Sequence, residues 1–156
     1  MMRTLVIRTL AQAGLLATVS GILIGQPISV QGGNQTLTIT TAVAGSEPVA
    51  VTNTGVRLRI RRQAAISKVT AQTSCPGQSF NLSVVVASTP IGTIAPSVDL
   101  IDGMLATDIL TDIPAAGSPA PQTVPLIYTA SSTFAQGNSA EMGADVHTIT
   151  FTIIAQ

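Results

Sequence analysis

Few side chains in this sequence are suited to catalysis, and the most suggestive pair stands near its end. Asp145 and His147 are two residues apart, so they share a face if the chain is a strand there. The G-x-S-x-G turn that presents a nucleophilic serine in many hydrolases is absent. We therefore expect His147, the sole histidine, to be an exposed residue at a strand edge. A secreted hydrolase stays open only if Asp145, His147 and a serine converge.

Cys75 is the only cysteine, so no disulfide can form within one chain. In an exported protein, an unpaired cysteine indicates either a bridge between molecules or a sheltered thiol. Its position before Pro76 and Gly77, which form a turn signal, favours a small buried apolar residue. We predict no nucleophile and no metal ligand here, and no cofactor for the protein.

The charged residues fall into two groups of opposite sign. Four of the seven acidic residues lie in the segment DLIDGMLATDILTD, which lacks the D-x-D-x-D-G spacing of a calcium-binding EF-hand loop. Four arginines lie on one predicted strand and its exit. Complementary patches steer and orient association, and head-to-tail contacts that do not close build filaments. The predicted residues for contacts between subunits are Arg57, Arg59, Arg61, Arg62, Asp99, Asp102, Asp108 and Asp112, with two solvated patches as the alternative.

Nearly all of these residues must be positioned by β-strands. The last eleven residues, VHTITFTIIAQ, alternate apolar side chains with threonines, as in a strand with one buried face. Similar alternation recurs along the chain between turn signals, and no convincing helix follows residue 32. Seven to nine short strands of this kind predict an all-β, antiparallel, immunoglobulin-like sandwich, with a barrel as the alternative. The buried face of the final strand is predicted to carry Ile149, Phe151 and Ile153.

Composition limits the classes of function. Apolar residues make up 46% of the 156 residues, which is ample for one core, and charged residues only 9%. A chain with this little charge is a poor candidate for disorder or for nucleic-acid binding. Its surface must be largely neutral and rich in hydroxyl groups, which is typical of exported proteins.

The N-terminus has the three-part layout of a secretory signal. Residues 1–8 include two arginines and no acid, residues 9–24 are mostly apolar, and residues 25–33 are small and polar. The apolar run is shorter than the roughly 20 residues that span a bilayer, so we expect no permanent membrane anchor. We predict that residues 1–32 are a signal peptide, with cleavage between 25 and 33, and that 33–156 form a single sandwich domain at the cell surface or in an extracellular fibre.

The segment that would follow cleavage, Gln35–Val43, also alternates. It could insert its apolar side chains into a neighbouring subunit, or it could pair within its own chain and complete the sandwich alone. The sequence does not choose between the two. The candidate residues of such a donor strand are Leu37, Ile39, Thr41 and Val43.

These features together resemble bacterial fimbrial subunits of the chaperone–usher type, in their spore-coat-protein-U-like branch. The resemblance rests on the signal, the alternating segment after it, the threonine-rich sandwich pattern and the final strand D-V-H-T-I-T-F-T-I. It implies an incomplete sandwich that the N-terminal extension of the next subunit completes. It also implies that Ile149, Phe151 and Ile153 flank the open groove. The implied partners are a periplasmic chaperone and an outer-membrane assembly platform.

We therefore expect a secreted, non-enzymatic pilus subunit that forms a homopolymer by exchange of strands and serves cell adhesion or biofilm formation. The alternative is a monomeric exported sandwich that binds a ligand through its loops. The loops in question are Thr89–Ser97 and Thr111–Thr123.

Overall fold

The structure, a computed structural model, describes residues 3–12, 27–41, 44–116, 120–136 and 143–156; within 3–12 it describes the backbone and the side chain of Ile7. In these ranges the chain forms twelve strands and one short 3-10 helix, Phe134–Gln136. The strands are β1 (Arg3–Gln12), β2 (Ile28–Gln31), β3 (Gln35–Ile39), β4 (Val51–Asn53), β5 (Arg57–Ile60), β6 (Ser67–Ser74), β7 (Asn81–Val86), β8 (Thr93–Ile94), β9 (Val98–Asp99), β10 (Thr107–Ile113), β11 (Gln122–Ser131) and β12 (Asp145–Ala155).

The strands form two sheets of six. The first has the order β3-β1-β12-β6-β10-β8, and the second has the order β2-β5-β11-β7-β9, with β4 paired to β11 beside this path. Every pairing is antiparallel except that of β1 with β12. The predicted all-β antiparallel sandwich is thus confirmed. The described residues include no helix with the length and apolarity that crossing a bilayer requires.

The core lies between the two sheets and is supplied by alternate residues of the longer strands. β7 and β11 bury every second side chain, because one face of each strand faces the opposite sheet. Tyr128 of β11 and Phe151 of β12 are the largest fully buried side chains, and Leu58, Leu100 and Leu126 pack in the same cluster. Burial of one such side chain is worth roughly 1.5–3 kcal/mol, so the core is the main source of stability.

Two segments differ from the sequence-based expectation. The sequence of residues 104–110 fits either a strand or a single helical turn. The structure has a strand there, β10, which starts at Thr107 and changes register twice against β6. Four prolines between residues 114 and 125 predict a surface loop. The loop ends earlier than this, because β11 begins at Gln122 and includes Pro125. Pro125 lies where β11 changes its main partner from β5 to β7, so its missing N–H interrupts neither ladder.

Candidate functional site

The position beside β12 is the feature of the fold that bears most directly on the predicted exchange of strands between subunits. β6 pairs with one edge of β12, and β1 covers the other edge over eight consecutive residue pairs, from Leu5–Asp145 to Gln12–Thr152. β3 in turn pairs with β1, from Arg3–Ile39 to Ile7–Gln35. β1 therefore separates the final strand from the segment that the sequence identified as a donor. We call this place between β12 and β3 the strand slot.

The final strand presents its apolar face to the core, as its alternation requires. Ile149 and Phe151 are fully buried and Ile153 nearly so, whereas the threonines between them are half-buried on the opposite face. Ile7 of β1 is also fully buried and belongs to the same core cluster. The strand slot thus takes an apolar side chain from its occupant.

The candidate donor segment pairs within its own chain. Leu37 and Ile39 are buried in the core cluster, so this half of the segment uses the face that the sequence indicated. Thr41 is exposed and lies beyond the end of β3, and Val43 lies outside the described residues. In the first sheet, β3 is hydrogen-bonded only to β1 among the described strands.

The charged residues that were predicted to join subunits do not meet one another within the chain. Three of the four acids bind other groups of the same chain. Asp108 forms a 3.0 Å ion pair with Lys68. Asp102 accepts a hydrogen bond from the Cys75 N–H, and Asp112 accepts one from the Gln156 side chain. The Lys68–Asp108 contact is the one ion pair between described residues. Asp99, Arg57 and Arg59 are exposed, and Arg61 and Arg62 are half-buried.

A buried polar cluster near the start of β12 was not predicted. A ligand-type atom of each of Cys75, Asp145 and His147 lies within 4.8 Å of the other two, and all three residues are buried. The expectation that His147 is exposed at a strand edge is therefore wrong. β12 is not an edge strand, because β1 and β6 flank it on both sides. The His147 side chain points to the core because the residue falls on the buried face of the alternation.

Hydrogen bonds fix two members of this cluster. The Asp145 Oδ2 atom accepts hydrogen bonds from the backbone N–H groups of Ser79 (2.9 Å) and Phe80 (2.8 Å). The Nδ1 atom of His147 lies 3.1 Å from the Thr73 hydroxyl, while its Nε2 atom is buried without a hydrogen-bond partner. An unpartnered ring nitrogen in this position is unusual, because buried polar atoms almost always have partners.

Burial also sets the protonation states of the cluster. Desolvation, reinforced by the charge of Asp145, raises the pKa of the Cys75 thiol to about 11. Desolvation lowers the pKa of His147, against the opposing effect of the Asp145 and Asp102 charges. At neutral pH the cluster therefore holds a thiol and a neutral imidazole rather than a reactive thiolate–imidazolium pair. Because the thiol is also shielded from solvent, the arrangement does not suit nucleophilic catalysis.

The sequence held part of the signal for this cluster. The spacing of Asp145 and His147 placed them on one face, and the structure keeps them on the same face. Cys75 joins them because β12 pairs antiparallel with β6, and the pair Thr148–Ser74 brings the next residues of each strand side by side. That register connects positions about seventy residues apart, so no local pattern indicates it.

An open groove of about 910 Å³ lies at the β8–β10 side of the sandwich. It is lined by the segment 93–99 together with Lys68, Met104, Asp108 and Thr111. Residues 93–97 belong to the first of the two loops that the sequence identified as a ligand-binding alternative. The groove is large enough for a small organic ligand.

Comparisons of the chain with protein-family models, with curated proteins and with solved structures found no match. The geometry of the strand slot, the buried cluster and the groove is therefore the basis for a proposed function.

Proposed function

We propose that the protein is an exported structural subunit that assembles with copies of itself into a surface fibre by strand complementation. One observation carries this proposal: the strand that occupies the slot beside β12 comes from the residues that have the layout of a secretory signal. Export with cleavage between 25 and 33 removes β1 from the chain. The subunit then has an open edge along β12.

Loss of β1 affects both of its neighbours. β12 loses the backbone partner of eight residues and the core loses Ile7. β3 loses its partner in the first sheet, so the segment that contains Leu37 and Ile39 becomes free to pair elsewhere. Burial of these two side chains is worth roughly 1.5–3 kcal/mol each, which favours their insertion into an open slot over exposure to water.

The edges that cleavage affects differ in charge. From Thr148 to Ala155, β12 has no charged residue, and long uncharged edges readily pair with another chain. β5, which a late cleavage would also uncover by removing β2, carries the exposed Arg57 and Arg59. Charged side chains on an edge discourage pairing. The β12 edge is therefore the one suited to accept a strand.

Assembly places the next subunit's residues 33–44 in the slot, where main-chain hydrogen bonds provide affinity and alternate side chains provide specificity. A periplasmic chaperone that covers the β12 edge, and an outer-membrane platform that exchanges it for a subunit, are the partners that the fimbrial resemblance implies. The exposed arginines of β5 and the exposed Asp99 are available for contacts between neighbours. Adhesion and biofilm formation are the roles that such a fibre would serve.

Point variants of the donor segment in the chain 33–156 test this proposal. We expect the unmodified chain to form oligomers or fibres by light scattering and negative-stain microscopy. The double variant Leu37→Asp, Ile39→Asp should stay monomeric, because two charges cannot enter an apolar slot. Thr36→Asp is the matched control, since Thr36 is exposed on the other face of β3, and it should assemble normally. Monodisperse monomers of the unmodified chain at high concentration would refute the proposal.

The groove supports a second candidate function, that of a monomeric exported sandwich that binds a small ligand. Its volume of about 910 Å³ lies within the range of ligand pockets, and it combines apolar residues such as Ile94 and Met104 with the Lys68–Asp108 pair. In this case β3 would complete its own sandwich after cleavage. The same assembly experiment separates the two functions, because this one predicts a monomer.

A further inference from the structure

We propose that Cys75, Asp145 and His147 form a binding site for a divalent transition-metal ion, and that zinc is the ion that fits it best. This inference depends on the geometry of the buried cluster in the full chain. Among the described residues, it is the one group of three such side chains close enough to share an ion.

The geometry of the cluster is close to that of a metal centre. Zinc is held at about 2.3 Å by sulfur and about 2.0–2.2 Å by nitrogen or oxygen, so its tetrahedral ligand atoms lie roughly 3.3–3.7 Å apart. The three ligand-type atoms here lie within 4.8 Å of one another. A shift of about an ångström, within the reach of side-chain rotation, would bring them to coordination distance.

The unpartnered nitrogen of His147 is the observation that points to a ligand. The side chain is completely buried, and its Nε2 atom has no hydrogen-bond partner. With the Thr73 hydroxyl accepting from Nδ1–H, the lone pair falls on Nε2 and is free to coordinate an ion. This is how a metal-binding histidine is usually oriented, with its other nitrogen held by a neighbouring acceptor.

The carboxylate of Asp145 is prepared in a similar way. Two backbone N–H groups, from Ser79 and Phe80, hold its Oδ2 atom, which fixes the orientation of the group. Carboxylates that ligate a metal are typically held by hydrogen bonds of this kind, and the Oδ1 atom can serve as the ligand. Cys75 is fixed by its own backbone N–H, which donates to Asp102 over 2.7 Å.

The donor set identifies the class of ion. One sulfur, one imidazole nitrogen and one carboxylate oxygen favour zinc or a similar transition metal over calcium or magnesium, which require oxygen ligands. On binding, the thiol of Cys75 releases its proton to solvent and its sulfur forms the bond to the metal. The thiolate and the carboxylate together neutralise the two positive charges of the ion. Three protein ligands leave one position of a tetrahedral zinc ion for a water molecule, in a site whose three residues are all buried.

Titration of the full chain with cobalt(II) tests the proposal, because a cobalt–thiolate bond gives a charge-transfer absorption in the near ultraviolet. We expect one equivalent to produce this band, zinc to displace it, and magnesium and calcium to leave it unchanged. Cys75→Ser should abolish the band, and His147→Gln should weaken binding at least 100-fold. Thr73→Val removes only the orienting hydroxyl and should weaken binding about 10- to 100-fold.

Ser132→Ala is the matched control, since Ser132 is another buried polar residue with an unpartnered hydroxyl and lies outside the cluster. It should leave the cobalt band unchanged. If the variants fail to fold, the melting temperature of the unmodified chain still tests the proposal. The melting temperature of the full chain should rise by several degrees when zinc at 100 times its Kd replaces a chelator. Absence of the band together with an unchanged melting temperature would overturn the proposal, as would equal binding by the Cys75→Ser variant.

Discussion

At the scale of single residues, His147 shows most clearly how position along a strand decides chemistry. The same imidazole at an exposed edge would titrate freely in water. On the buried face of β12 it loses hydration, and its pKa falls below the ordinary value of 6.5. Asp145 and Asp102 oppose this effect through their charges, and the thiol of Cys75 and hydroxyl of Thr73 complete its surroundings.

This shift predicts how stability depends on pH in the presence of a chelator. Below the ordinary pKa of 6.5 the unfolded chain binds a proton at His147 more readily than the folded chain does. Stability therefore decreases as the pH is lowered from 6.5 toward the folded-state pKa. Above pH 6.5 His147 is neutral in both states, and its contribution to the free energy of unfolding is fully present. Urea denaturation of the full chain at a series of pH values measures the effect. His147→Gln should flatten the acid side of the curve, and an unchanged acid side would contradict the assignment.

At the scale of elements, β12 depends on one buried face. Ile153 is 6% exposed and Ile154 is 38% exposed, although they are adjacent and of the same type. Ile153→Ala in the full chain should therefore cost about 2–5 kcal/mol of unfolding free energy, because it removes buried methyl groups and leaves a cavity. Ile154→Ala, the matched control, should stay within about 0.5 kcal/mol. Equal losses in urea denaturation would show that the faces of β12 are assigned wrongly.

The elements also show what the sequence could predict. Alternation is a local property, so it predicts strands such as β12 and β7 and the burial of their apolar faces. Partner and register are not local, which is why the contact of Cys75 with His147 and the register changes of β10 had no signal in the sequence. The position of Pro125, at the exchange of partners along β11, likewise depends on the whole sheet.

At the scale of the whole molecule, the proposed function relates export to assembly through the strand slot. The sandwich is complete only while β1 lies between β12 and β3, and β1 belongs to the predicted signal. Processing during export would therefore convert a closed sandwich into one with an acceptor edge and a free donor segment. Under the proposed function, cleavage would control when subunits become able to join, and this would restrict fibre growth to the exported protein.

Binding of a donor peptide tests whether the slot beside β12 accepts residues 33–44. The chain 33–156 with Leu37→Asp and Ile39→Asp has a disabled donor but keeps the slot beside β12. We predict that a labelled peptide of residues 33–44 binds it with one-to-one stoichiometry in fluorescence anisotropy. The same peptide with Leu37→Asp should bind at least about tenfold more weakly, because the buried apolar contact is lost. Failure of the unmodified peptide to bind, or equal binding of both peptides, would contradict the account.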